Sequence, residues 1–491
     1  MWLFFLNAED AVDYFLFDFS AVSALKKSLP LCYNQPLVNK VLVLLVLGLL
    51  VLTINSGKIS LLSLDDCFYA RKGVEMARSG RFFTVTWNYR ANFQNPSLQT
   101  WILGKSFQTL GENDFAARVP SILMAIAILL FTYKIGARMF SQNIAVTAVA
   151  LLLITPQFLS NGRRCMVEIP LTFWICIAFF IFLKGFERPK LNAWLAMPLG
   201  AALLTKSVLG LLPILVIVAS AFFNSEIRSS LKQRWFWIGI AGGIFIGLTW
   251  PIHQYSRFGI EALREHYFSE IFSRSVRNIS IYKLILGYPE IVFTVFLPLI
   301  FPALPGLVKI FKERKESGVI VLIFVWSLIP ILLYSFSSAR SSRYIFPIIP
   351  ALAIAGAYWL ETTFSRFCSF FSRIAVPIGL LALAILFWIS PETVLKDENK
   401  ILKANHHLVR NMAPELEPIP YSGDSYWSVA NPLMYYAERQ LAAPTELKDA
   451  IVQAQKTSGY LIVDPEQLSE IKKRTSAILA DRKWVLVQIQ N

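Results

Sequence analysis

Long apolar stretches separated by short polar ones recur from residue 38 to about residue 390. Each approaches the roughly 17–25 residues that a helix needs to cross a hydrocarbon core. The pattern predicts about eleven spans, at 38–54, 119–138, 143–159, 167–184, 192–205, 207–223, 235–251, 285–308, 318–336, 345–361 and 374–390. The stretch 192–205 is short for a span and reads as a tilted or half-buried helix. Between the first two spans the chain turns polar and aromatic over 55–118. Two amphipathic runs, Cys67–Ser79 and Gln99–Leu110, flank a loop containing Asn95-Pro96, a pattern that predicts two helices lying on the membrane face. Past residue 391 the pattern changes again. Helix-like runs (Lys396–Arg410, Glu446–Gln455, Pro465–Ile478) alternate with strand-like runs (Tyr460–Asp464, Trp484–Ile489), which predicts a small α/β domain.

Composition agrees with the periodicity. Of the 491 residues 55% are hydrophobic and 16% charged, against about 45–50% and about 25% in soluble domains. The net charge of +15 raises nucleic acid as a partner, but in a many-span chain it reflects basic cytoplasmic loops facing anionic lipid. With the N-terminus inside, the loops carrying Lys134/Arg138, Lys184/Arg188/Lys190, Arg228/Lys232/Arg234, Lys309/Lys312/Arg314/Lys315 and Arg366/Arg373 all fall on the cytoplasmic side. The 55–118 loop, the turns at 160–166 and 337–343, the 252–284 loop and the tail then face outward. Residues 1–37 carry Glu9, Asp10, Asp13 and Asp18 among Phe and Leu. Without a basic start or a small-residue cleavage site they read as an interfacial segment rather than a signal peptide. The fold class is an α-helical polytopic membrane protein in three parts. These are an N-terminal segment (1–37), a transmembrane domain (38–391) and an extracytoplasmic α/β domain (392–491).

Charged residues at the outward ends of the spans are the candidate chemistry. Asp65-Asp66 is a pair of adjacent carboxylates, the usual bases and metal ligands of transfer reactions. Its structural alternative is a helix N-terminus, with Ser63 or Asp65 as cap. Glu168 follows Arg163-Arg164 at the start of a span. Lys206 lies in Leu-Leu-Thr-Lys-Ser, where an unpaired charge is costly. Arg340 and Arg343-Tyr344 stand on the outer side against the positive-inside trend, and the guanidinium fork suits phosphate. The outer loop adds His253, Arg257, Arg264, His266, Arg274, Arg277 and Lys283, and the tail adds His406-His407. Five scattered cysteines, Cys32, Cys67, Cys165, Cys176 and Cys368, suggest neither a disulfide framework nor a metal knuckle. Acids with a surplus of Arg and Lys on one face fit a reaction on a lipid-linked phosphate.

The ordered set Asp-Asp-x-x-Tyr-Ala, Gly-Arg-Phe-Phe-Thr, Asn-Pro-Ser-Leu, Phe-Ala-Ala-Arg-Val-Pro-Ser, Leu-Leu-Thr-Lys-Ser and Ser-Arg-Tyr-Ile-Phe-Pro resembles the GT-C membrane glycosyltransferases over residues 38–362. Within that class it is similar to the bacterial lipid-carrier branch of aminoarabinose transferases and relatives of the protein O-mannosyltransferases. The resemblance implies an inverting transfer of a sugar from a polyprenyl-phosphate carrier to a lipid, protein or glycan acceptor, on the outer side of a bacterial inner membrane and without nucleic acid. It implies Asp65 as the base that activates the acceptor, with Asp66 and Glu168 orienting acceptor or base. It implies Tyr69, Lys206, Arg340, Arg343 and Tyr344 as donor and carrier-phosphate contacts. No cofactor is assigned, and a divalent metal is left open.

Three positions depart from the family pattern. Gln94-Asn95-Pro96-Ser97 lacks the cation often found there, Phe68 stands where aminoarabinose transferases have arginine, and Asn278 falls near the place of a later histidine. These differences argue against aminoarabinose as the sugar and weaken a Glu/His metal site. Two other classes fit the same outline: a flippase for lipid-linked sugars, which more often shows repeated halves around a midplane site, and a non-catalytic envelope scaffold.

Overall fold

A computed structural model describes residues 35–272, 281–314, 318–335, 341–389, 396–412, 417–471 and 475–489. The main helices in order are α1 (Gln35–Thr53), α2 (Asp65–Ser79), α3 (Leu98–Leu110), α4 (Asp114–Met139), α5 (Gln142–Leu153), α6 (Pro156–Gly162), α7 (Glu168–Gly185), α8 (Ala196–Lys206), α9 (Leu212–Ala221), α10 (Arg234–Phe258), α11 (Ile281–Val295), α12 (Ile300–Glu313), α13 (Val321–Ser335), α14 (Ile349–Thr363), α15 (Ser365–Phe370), α16 (Val376–Ile389) and α17 (Leu447–Lys456). Helix occupies part of every predicted apolar stretch. Among the described residues six helices are long and apolar enough to cross a membrane, and α5 with α6, bent by 71°, makes a seventh if taken together. The chain is therefore an integral membrane protein.

One predicted span differs in detail, and the break expected between 205 and 207 is present. The stretch 285–308 is broken between α11 and α12, where Pro298 cannot donate the bond that would continue the helix. The helical run Pro189–Ala221 spans 33 residues but reverses within itself. A Cβ on Gly210 would lie 2.3 Å from the Leu203 nitrogen, whereas residues seven apart in a straight helix are separated by roughly 10 Å. The reversal falls at Lys206–Ser207, where Ser207 takes a φ of +48°. It leaves Lys206 at the very end of α8.

A continuous core of Leu, Ile, Val, Phe and Ala runs through the bundle, and it includes Leu44, Ile128, Phe179, Trp326 and Ile349. The Trp326 ring lies 4.4 Å from Phe179, and its indole N–H donates to the Pro347 carbonyl at 2.9 Å. A buried indole needs such a partner. Helices α12 and α14 cross so closely that a Cβ on Gly306 would meet the Ala355 carbonyl oxygen at 1.9 Å.

The loop after α1 carries α2 and α3 as expected, plus a feature the pattern does not announce. Strands β1 (Thr86–Trp87) and β2 (Arg90–Ala91) form a two-residue hairpin through Asn88 and Tyr89, both at positive φ. Asn is common in such turns and tyrosine is not. Tyr89 is held there from outside. Its N–H donates to Glu75 at 3.1 Å, and the Arg71 guanidinium covers its ring at 5.0 Å.

In the tail, β3 (Ile419–Ser422), β4 (Leu441–Pro444), β5 (Tyr460–Val463), β6 (Thr475–Ala480) and β7 (Val485–Ile489) form one sheet in the order β4-β3-β5-β7-β6. Strand β3 is parallel to β4 and β5, and β7 is antiparallel to β5 and β6. Strands β3 and β4 escape the pattern because each is four residues long and contains proline. The predicted helix Pro465–Ile478 ends early: only Leu468–Ile471 is α-helical, and the chain pairs as β6 from Thr475. Edge pairing with β7 overrides the local helical preference.

The tail grips the stretch that leads into α2. Ser60 N–H donates to Asp397 at 3.0 Å and Ser63 N–H to Glu398 at 3.2 Å. Asn399 donates to the Leu61 carbonyl at 2.7 Å, and Asn431 to that of Leu64 at 2.9 Å. Glu438 bridges Arg78 of α2 and Arg410.

Two outcomes follow from these contacts. Gly306→Leu forces α12 off α14 and lowers the thermal midpoint of the solubilised protein, at an overpacking cost of about 1–3 kcal/mol or more. The second concerns acid. Bonds from Arg78, then Arg410, outweigh burial and hold Glu438 at a pKa of about 2. At Glu398 burial acts upward, but the bonds from Ser63 and the Lys483 charge prevail and lower its pKa. Both carboxyls thus sit below their unfolded value of about 4.3. The stability they contribute is complete above that value and is lost as pH falls toward about 2. The protection factors of the amides at residues 59–64, measured against intrinsic exchange at each pH, therefore fall on acidification before those of the bundle core do.

Candidate active site

Helix α2 begins at Asp65. Leu64 takes the cap position and no side chain caps the helix, so neither Ser63 nor Asp65 acts as the cap. Both acids lie in the first turn, where the helix dipole favours negative charge. They face different surroundings.

Asp65 is about one-third exposed and forms an ion pair with Arg343, 278 positions away. Burial works against the Arg343 charge, but Asp65, Glu168 and Tyr69 outweigh it and raise its pKa. Asp66 is buried and accepts from Arg164 Nε at 3.1 Å. Desolvation raises the Asp66 pKa, and the Arg164 and Arg118 charges only partly oppose it.

Glu168 opens α7 and is buried. One of its oxygens takes the Lys206 ammonium at 3.1 Å, and the other has no hydrogen-bond partner among the described residues. Lys206, 13% exposed, also lies 5.1 Å from the Tyr344 ring centre. Tyr344 stacks on Tyr334 at 5.3 Å. Tyr69, one turn past Asp65, receives a bond from Asn95 at 3.1 Å. Burial, then the Glu168 and Asp65 charges, push its phenol well above the usual range, so it is a neutral donor.

Asp65, Tyr69, Glu168, Lys206, Arg343 and Tyr344 therefore meet at one end of the bundle. They come from the starts of α2 and α7, the end of α8 and the turn before α14. Asp66 lies beside this cluster and is tied to Arg164. Arg340, Arg274, Arg277 and Asn278 lie outside the described residues, as does nearly all of 1–37.

Several other residues singled out in the sequence support the cluster or stand apart from it. Arg118 of α4 binds four backbone carbonyls, those of Arg163, Ser56, Ile59 and Ser60, and so ties the first loop to the turn before α7. Arg163 binds the carbonyls of Val51 and Ile54. Burial, with the Arg118 charge beside it, pulls its pKa down to about 9. In the outer loop His266 is buried, with Nδ1 2.6 Å from the Phe93 carbonyl, so that nitrogen carries the proton. Burial lowers its pKa despite bonds to Phe93 and Gln94. His253 stands 3.5 Å from Thr84. His406 binds the Lys403 carbonyl. Among the described residues no group of three or more His, Cys, Asp or Glu side chains is placed to hold a metal ion.

The cluster holds acids and cations in opposition at helix ends on one face of the bundle. Known proteins resemble the chain in sequence and in fold. The family described as dolichyl-phosphate-mannose-protein mannosyltransferase matches residues 94–253. An uncharacterized protein of Aquifex aeolicus is 26% identical over 340 residues, 66% of this chain and 65% of that protein. The undecaprenyl phosphate-alpha-4-amino-4-deoxy-L-arabinose arabinosyl transferase of Shewanella sediminis is 25% identical over 351 residues, 66% of this chain and 62% of that enzyme. The chain thus spans somewhat under two thirds of these relatives. The fold matches apo ArnT from Cupriavidus metallidurans with a TM-score of 0.74 at 16% identity, over 92% of this chain and 98% of that one. It also matches the archaeal oligosaccharyltransferase AglB from Archaeoglobus fulgidus, with a TM-score of 0.58 at 13% identity, over 88% and 70%. The resemblance to GT-C membrane glycosyltransferases is borne out.

The Asp66–Arg164 pair gives a direct test of the local architecture. Arg164→Gln leaves a buried carboxylate without its partner and destabilises the protein by about 3 kcal/mol. Adding Asp66→Asn recovers most of that loss, and a double-mutant cycle on the thermal midpoint reads the coupling.

Proposed function

We propose that the protein is an inverting glycosyltransferase, moving a sugar from a polyprenyl-phosphate carrier to a glycolipid, protein or glycan of the cell envelope. The observation that carries this reading is the Asp65–Arg343 pair with Glu168–Lys206 beside it. A base candidate and two phosphate-binding cations converge at one bundle end. The charges gather at helix ends rather than at mid-depth, which separates this reading from a flippase. Relatives and fold neighbours with undecaprenyl phosphate in their names or titles support the carrier.

In the resting site Arg343 engages the Asp65 carboxylate, which is then not open to the acceptor's proton. The carrier phosphate is a stronger guanidinium ligand, and as it enters it takes Arg343 and Lys206. Asp65 is thereby released. It accepts the proton of the acceptor nucleophile as the new bond forms at the anomeric carbon from the face opposite the phosphate. The bond from that carbon to the phosphate oxygen breaks, and its electron pair leaves with the carrier phosphate, held by Lys206 and Arg343. The proton then passes from Asp65 to solvent. Glu168 holds Lys206 in place and keeps one free oxygen toward the site. Tyr69 and Tyr344 contact the donor. Asp66, held by Arg164, positions the first turn of α2, and Arg340 would add to the phosphate site.

The arrangement that goes with this chemistry is an N-terminus in the cytoplasm of a bacterial inner membrane and about eleven crossings. The site and the 392–491 domain lie outside. The sugar is a hexose or pentose, and the departures at Phe68 and Gln94-Asn95 favour one other than aminoarabinose.

In membranes supplied with labelled polyprenyl-phosphate sugar and envelope extract, Asp65→Asn should reduce transfer at least about a hundredfold, the lower range for a general base, while insertion is unchanged. Undiminished transfer by that variant would remove Asp65 from the role.

A further inference from the structure

A second cluster lies at the other end of the bundle. Helix α14 starts just past Tyr344 and carries Glu361 at its far end, roughly 20 Å along at about 1.5 Å per residue. There a cavity of about 80 Å³ opens between α1, α5, α14 and α15. Its polar lining includes Lys40, Asn143, Glu361, Ser365, Ser369 and Arg373. Ser365 and Ser369 stand four apart on one face of α15, and Arg373 comes from the π-helical turn Phe371–Ala375 that follows, so adjoining helical turns supply two hydroxyls and a guanidinium to the cavity. Asn143 sits in the first turn of α5, the positive end of its dipole.

Two cations face one carboxylate there: Glu361 lies within reach of the Arg373 charge, and the lining keeps an excess positive charge. Glu361 already accepts the Thr147 hydroxyl at 2.5 Å. Lys40 and Arg373 are close enough to repel each other, and neither forms an ion pair among the described residues. Two cations converging on a cavity of this size leave room for one tetrahedral anion. The surroundings say which kind. On and beside α15, Phe364, Phe367 and Phe370 are each about half exposed, and Phe367 stacks on Phe371. The Trp359 ring lies 5.5 Å from Phe364, and tryptophan beside exposed apolar rings at a charged helix end marks a membrane–water interface. A basic pocket between spans at that level suits an anionic lipid headgroup.

We propose that this cavity binds the phosphodiester of an anionic phospholipid, on the membrane face opposite the Asp65 cluster. The phosphate oxygens meet Lys40 and Arg373, with Ser365, Ser369 and Asn143 donating to them. The acyl chains lie along Phe367 and Phe370. The lipid joins α1, α5, α14 and α15 at an end where the protein alone leaves two cations opposed.

The test titrates the solubilised full-length protein with phosphatidylglycerol, phosphatidylcholine or inorganic phosphate and reads the thermal midpoint. Phosphatidylglycerol should raise it and the other two should not. Lys40→Gln with Arg373→Gln should shift half-saturation at least about tenfold, given about 1 kcal/mol per basic residue near anionic lipid. Arg366→Gln, exposed on the same helix but outside the cavity, should leave it unchanged. If the double variant does not fold, Ser369→Asp, which adds a carboxylate to the cavity, should weaken the response in the same way. An equal response to phosphatidylcholine, an unchanged response in the variants, or equal stabilisation by inorganic phosphate would overturn the proposal.

Discussion

One ion pair joins the first loop to the last third of the helical bundle. Asp65 stands at the first turn of α2, and Arg343 stands in the turn before α14, 278 positions later. For them to meet, the first loop must be pressed onto the bundle. Arg118 does this from below through four backbone carbonyls. Asp397, Glu398, Asn399 and Asn431 of the tail do it from above. The tail is in this sense part of the site although it supplies none of the clustered side chains. Backbone groups between α1 and α2 that would otherwise lie buried and unpaired find their partners in it.

The pair also explains why the two adjacent acids are not equivalent. On a helix, neighbouring residues point about 100° apart, so Asp65 and Asp66 face different surroundings. Asp65 meets Arg343 at a partly exposed face, where another anion can take the guanidinium in its place. Asp66 is sealed against Arg164 and Arg118, where desolvation is the largest influence on it. A buried, paired charge fixes geometry more than it adds stability. Asp66 suits a fixed support, and Asp65 suits a group whose partner changes during turnover.

Much of this was legible in sequence, and for a definite reason. Apolar length and charged punctuation are one-dimensional properties, so the helical stretches and the charged span ends could be read directly. The adjacency of Asp65, Glu168, Lys206 and Arg343 was approachable because each sits at a helix end on the same predicted side. The rest depends on contacts with no local signature. The break between 205 and 207 could be read from the pattern, but not how it is made, with the non-glycine Ser207 at positive φ and Gly210 packed close on Leu203. The Asn88-Tyr89 hairpin needs Glu75 and Arg71 to hold a poor turn residue. Strand β6 reads as helix until β7 is placed beside it. Asn95 read as a missing charge, yet its amide is the group that fixes the Tyr69 hydroxyl.

The proposed competition between Asp65 and a carrier phosphate for Arg343 can be measured without any acceptor. Binding of undecaprenyl phosphate to the purified protein, compared between the native chain and Asp65→Asn, reads it directly. If the two anions compete, Asp65→Asn frees Arg343, so the variant binds the carrier more tightly than the native chain while Arg343→Gln binds it more weakly. Loss of carrier binding in Asp65→Asn would show instead that the ion pair builds the phosphate site, and the release of Asp65 by the incoming phosphate would be wrong.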